Sequence, residues 1–183
     1  MSIVDLLNRK TMPALVLIAV LLPVLSSMAI SGQDKYTVQV PNGLAFSEFK
    51  GYEDWKVISV SHSGDVLAVI LGNPEMIAAY QAGVPGNGKP FPDGAKMAKI
   101  HWNMKKSAEA PALTMVPDTL HDIDFMVRDS KRFADGGNWG YAQFNYDTAS
   151  DTFTPLGDGA KCGTACHTIV AAKDYVFTAY PER

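Results

Sequence analysis

The chain is short of several things, and each shortage removes a class of function. It holds two cysteines, Cys162 and Cys166, in 183 residues, so a framework of several disulfides is excluded. One bridge between these two would close a very small loop and stabilise little, because the entropy removed from the unfolded chain grows with loop length. Basic charge is not in excess either. Lys and Arg number 16 against 19 Asp and Glu, for a formal charge of -3. The charges are scattered without a basic stripe, so no nucleic acid partner is expected. There is no internal repeat and no low-complexity tract beyond the N-terminal segment. Long apolar runs are also missing: the stretch from Met12 to Leu25 is about 14 residues, below the roughly 20 that a membrane-spanning helix needs.

That short apolar run has a different use. Arg9 and Lys10 precede it, and small residues Ser27 and Ala29 follow at the minus-three and minus-one positions of a cleavage site. The pattern predicts a signal peptide over residues 1–29 and export to the periplasm, with an uncleaved membrane anchor as the alternative. Residues 30–183 remain, enough for a single domain with its own core.

Within that domain, Phe46, Phe49 and Tyr52 recur every three residues and predict a short helical stretch with an aromatic face, interrupted at Gly51. "KVISVSHSGDVLAVILGN" reads as a hairpin turning around Ser63 and Gly64. Asn73 as cap, Pro74 in the first turn and Gly83 at the exit predict a helix over 74–82. "GVPGNGKPFPDG" is a long Gly/Pro loop of the sort that often carries function. Further strands are expected at 95–103, 122–128 and 139–145, a helix from near Lys161, and a last strand in "YVFTAY". The expected class is α+β, mainly antiparallel β-sheet with a few short helices.

Both cysteines and one of four histidines fall in "KCGTACHTIV", residues 161–170. Covalent haem attachment needs two thiols for the vinyl groups and an adjacent histidine for the iron, and Cys162, Cys166 and His167 supply all three. The spacing is Cys-x-x-x-Cys-His, one residue longer than the usual motif. Gly163 is expected to absorb the extra residue through its backbone freedom. Zinc is the competing metal, but it takes four N or S ligands and no second Cys pair exists. Electron carriers close the sixth iron position with Met or His, whereas catalysts and gas binders leave it open. Met97, Met104, Met115 and Met126, and His62, His101 and His121, are the available side chains, and each is also an ordinary core or hydrogen-bonded residue.

The order of five segments is more specific than any one motif. "FSEFKGYEDWKVISVSHS", "LGNPEMIAAYQAG", "KPFPDGAKMAKIHW", "DSKRFADGGNWGYAQF" and the C-terminal Cys/Cys/His with "DYVFTAYP" resemble the cytochrome P460 family over essentially all of residues 44–180. The family comprises cytochrome P460 and the β-type cytochromes c-prime. The resemblance implies a mainly antiparallel β fold, a homodimer, one covalent haem c, and a five-coordinate iron held by His167 with its distal side open.

It implies two alternative activities. Cytochrome P460 oxidises hydroxylamine with a haem further cross-linked to a lysine, passing electrons to a small redox protein. The β-type cytochromes c-prime lack the cross-link and bind nitric oxide in an apolar pocket. A simple electron carrier with a Met ligand is the third reading. In the family pattern the lysine beyond the Pro-Asp-Gly turn best matches Lys99, with Lys96 as second choice. Odd spacing puts the two on opposite faces of a strand, so only one can reach the ring. The family's distal carboxylate, taken to lie shortly before the haem motif, is matched by Asp158, which also reads as an ordinary turn residue. Phe91 reads as a wall of a gas-binding pocket or as an ordinary core residue, and Trp139 is expected to be structural.

Overall fold

The computed structural model describes residues 32–41 and 44–182. The predicted signal peptide lies outside them. Six strands form one antiparallel sheet in sequence order: β1 (Lys56–Ser63), β2 (Val66–Gly72), β3 (Lys96–Lys106), β4 (Met115–Arg128), β5 (Trp139–Asp147) and β6 (Thr152–Pro155). Two helices accompany it, α1 (Pro74–Gln81) and α2 (Gly159–His167). The expected α+β class, with a mainly antiparallel sheet and a few short helices, is the one observed. Among the described residues no helix is long and apolar enough to cross a membrane.

Alternation along the strands divides the molecule into two faces. On one, Ala98, Ile100, Ile123, Phe125, Ala142 and Phe144 meet the N-terminal segment. There Phe46 and Phe49 are fully buried, in a 3-10 turn, Phe46–Phe49, followed by a second, Tyr52–Asp54. Phe49 stacks on Phe125 with centroids 4.2 Å apart, and Phe46 contacts the rings of Phe125, Phe144 and Phe153. Each buried Phe contributes on the order of 1.5–3 kcal/mol, and each aromatic pair about 0.5–1.5 kcal/mol more. The three-residue aromatic spacing thus serves this core, in 3-10 turns.

The opposite face carries Ile70, Met97, Met126, Trp139 and Tyr141, packed with Met76 and Ile77 of α1, with Phe91 and with Val176. Asn73 caps α1 as expected, its Oδ1 accepting from the Met76 N–H at 3.0 Å. The Gly/Pro loop before β3 folds over this face, with Phe91 1% exposed. Phe91 and Trp139 are core residues, edge to face at 6.0 Å.

Three expectations about elements change. β3 and β4 run well beyond the strands foreseen at 95–103 and 122–128, pairing from Lys96↔Val127 out to Lys106↔Met115. β6 was not anticipated. "YVFTAY" is no strand: Tyr175 has φ 63°, outside the extended range, and residues 176–180 have no ladder partner among the described residues. This segment crosses the second face as coil, held by buried Val176 and by the Tyr80 hydroxyl donating to the Thr178 carbonyl.

Candidate haem site

The second face opens, between β3–β5 and α2, into a cavity of about 420 Å³. Cys162, Cys166 and His167 line it from α2, and Lys99 and Asp124 from β3 and β4. The strand register explains the meeting. Lys99 pairs with Asp124, and Asp124 with Gln143, so one ladder row carries an ammonium and a carboxylate onto this face. Lys96 lies on the other face, its Nζ donating to the Glu48 carbonyl at 2.5 Å. The two lysines therefore do face opposite ways, and it is Lys99 that borders the cysteines.

In α2 the two thiols are four residues apart, hence on one side of the helix and about one turn from each other. Both are free and exposed. Gly163 does not loosen this helix. A Cβ there would come within 2.6 Å of the Tyr141 Cβ, so the glycine lets α2 lie directly on β5. The extra residue of the motif is accommodated by regular α-helix.

His167 ends α2 between the Tyr141 ring at 4.7 Å and the Phe177 ring at 5.0 Å. Its Nδ1 lies 2.6 Å from the Tyr175 carbonyl oxygen. A carbonyl can only accept, so Nδ1 carries the proton and Nε2 keeps a free lone pair, the form a metal requires. Burial pulls the imidazole below its usual range, the Tyr175 hydrogen bond opposes this, and the Lys99 charge lowers it further. The ring is thereby kept neutral.

Asp124 is the residue that sequence reasoning missed. Its side chain is 42% exposed in the open cavity, yet its Oδ1 is sealed from solvent and has no hydrogen-bond partner among the described residues. Burial, and then the charge of Asp122, push its carboxyl up to about 6, from an ordinary 3.8. A signal did exist: Asp122 and Asp124 are two acids at alternate positions in the otherwise apolar "HDIDFMV", a spacing that puts both on one face.

Behind Asp124 the polar row continues. His101 Nδ1 is 2.5 Å from Asp122 Oδ1 and 3.9 Å from Asp124 Oδ2. A register shift opposite His101 and Trp102 leaves His121 unpaired and beside Asp122, with its Nδ1 2.5 Å from Oδ2. Burial alone would raise Asp122, but the hydrogen bonds from His101 and then His121 outweigh it and hold the carboxyl below its ordinary value.

The remaining expected residues divide between the cavity wall and the rest of the molecule. Asp158 precedes α2, makes no side-chain capping bond, is 79% exposed and does not line the cavity. Met97 and Met126 line the cavity as core residues, whereas Met115 is exposed at the far end of β4. His62 bonds the Gly64 carbonyl in the β1–β2 turn.

This set of donors fits a covalently held haem. Two free thiols stand on one helical side, the next residue offers an imidazole lone pair, and apolar walls from Ile70, Val176 and Phe177 line the cavity. Two buried polar atoms on the cavity walls, Asp124 Oδ1 and the Tyr141 hydroxyl, lack partners among the described residues. A family model described as cytochrome P460 matches residues 49–178. No curated protein matches the chain.

Proposed function

The chain belongs to the cytochrome P460 family and is a haem protein, and from that premise we propose that it is an exported enzyme that oxidises hydroxylamine. Cys162 and Cys166 would attach haem c, and His167 would ligate its iron. Lys99 supplies a further cross-link to the ring. The haem, when bound, would supply an electron-accepting iron. One observation carries the reading: both thiols, the imidazole, the Lys99 amine and the carboxylate of Asp124 line a single cavity.

Within it, His167 is kept neutral and oriented by Tyr175. Asp124, ionised above a pH of about 6, is the group able to accept a proton from substrate in that cavity. It takes the part that sequence reading gave to Asp158. Ile70, Val176 and Phe177 give the cavity its apolar walls. Electrons leave to a small redox protein. The N-terminal pattern supports export to the periplasm with cleavage after Ala29. The free edge of β1, where Val60 is 70% exposed, supports a homodimer.

Gas binding is the second reading, favoured by the same apolar walls. Mass spectrometry of the haem peptide separates the two. Haem joined to both the Cys162–Cys166 peptide and the Lys99 peptide, with hydroxylamine-dependent reduction of an added acceptor, supports the oxidase. Thioether links alone, with tight nitric oxide binding and no turnover, overturn it.

A further inference from the structure

The segment after α2 holds two consecutive non-glycine residues in the left-handed region, Asp174 at φ 51° and Tyr175 at φ 63°. Side chains with a Cβ rarely adopt that conformation, so the surroundings must impose it. The carbonyl of Tyr175 is the one that accepts the His167 Nδ1 proton at 2.6 Å. Where this turn lies decides where that acceptor lies.

The Asp174 and Tyr175 N–H groups close the turn on the Ala171 and Val170 carbonyls, and a largely buried ion pair ties it to the sheet. Arg128, at the end of β4 and 7% exposed, donates from Nη1 to Asp174 Oδ1 at 3.0 Å. The second oxygen of Asp174 accepts from the Phe91 N–H at 2.7 Å, so the carboxylate is tied to two separate parts of the scaffold. The guanidinium in turn lies 5.8 Å from the centroid of the Trp139 ring, and Trp139 is 1% exposed. On the other side, the Tyr175 ring lies against Gly137, where a Cβ would come within 2.3 Å of it. These contacts leave the Tyr175 carbonyl little freedom to turn from His167.

We propose that Arg128 and Asp174 are positioning residues for the proximal histidine, their ion pair fixing the turn whose carbonyl holds His167 Nδ1. A carbonyl that accepts from Nδ1–H raises the electron density at Nε2, strengthens its bond to iron and favours the oxidised metal. The pair thereby tunes the iron without touching the cavity. The inference rests on ligation of the haem iron by His167, but not on which substrate the iron meets.

The test uses the haem-loaded protein with Asp174→Gly, Asp174→Asn and Arg128→Met. Glycine tolerates the left-handed turn while removing the carboxylate, which separates anchoring from backbone strain. Asparagine keeps an acceptor for the Phe91 N–H. The readouts are the iron–histidine stretching band of the ferrous protein in resonance Raman spectra and the reduction potential. Folding is monitored by circular dichroism.

The band should move to lower frequency and the potential to more positive values in Asp174→Gly and Arg128→Met, with Asp174→Asn between these and wild type. If Arg128→Met does not fold, the two Asp174 variants decide. An unchanged band and potential in folded Asp174→Gly and Asp174→Asn overturn the positioning role alone. Unchanged iron ligation in His167→Ala, read from the absorption and resonance Raman spectra, overturns ligation by His167, and the proposal with it.

Discussion

At the scale of residues, Asp124 and Lys99 are the charged side chains that the fold brings to the cavity of the Cys/Cys/His motif. Asp124 titrates at about 6 because burial, and then Asp122, disfavour its charge. A carboxyl raised above its ordinary value stabilises the native state fully below about 3.8, and that contribution is lost as pH rises through about 6. The difference in melting temperature between wild type and Asp124→Asn should therefore change with pH across that window and be flat above it. In the proposed reaction Asp124 accepts a proton in its ionised form, so the rate should have an acid limb near pH 6. Asp124→Asn should remove that limb and lower the rate by roughly 10²–10⁴-fold. Asp158→Asn, at an exposed position outside the cavity, should leave the pH profile and rate as they are. Absorption spectra test the lysines: Lys99→Leu should turn a red-shifted cross-linked spectrum into an ordinary c-type one, and Lys96→Leu should not.

At the scale of elements, the docking of α2 on β5 decides whether the thiols reach the cavity. Gly163 sits at their closest approach, with 2.6 Å available to a Cβ beside Tyr141. Alanine would gain about 1 kcal/mol of helix propensity over glycine at this position. Overpacking against a buried ring costs about 1–3 kcal/mol, so the net effect of Gly163→Ala should be destabilising. Chemical denaturation of the variant measures this, and the haem content of purified protein should fall with it. The bulge at His121 acts at the same scale, since it places two imidazoles on the carboxylate of Asp122 and so holds a charge beside Asp124.

At the scale of the whole molecule, the two expectations that await measurement are export and self-association. N-terminal sequencing of protein recovered from the periplasm should begin at Ile30. Sedimentation should give twice the mass of one mature chain, and a charged residue at Val60 should weaken that association if the free edge of β1 is the interface. The class of fold, the α1 cap, the aromatic N-terminal core and the attachment motif were all legible in the sequence, because each rests on residues a few positions apart. Cys162, Cys166 and His167 are such a group, fixed by helix geometry alone. Alternation also separated Lys96 from Lys99. What alternation leaves open is strand register, and register set Lys99 opposite Asp124 rather than one residue away on the other face. The function of Gly163, the bulge at His121 and the left-handed turn at Asp174 and Tyr175 likewise depend on partners distant in the chain. The sequence by itself determined the family and set two thiols and the adjacent imidazole on one helical stretch. Tertiary structure put Lys99, the lysine the sequence favoured, on the cavity and alone decided which carboxylate faces the His167 imidazole, because only packing joins residues 99, 124 and 167 across one cavity.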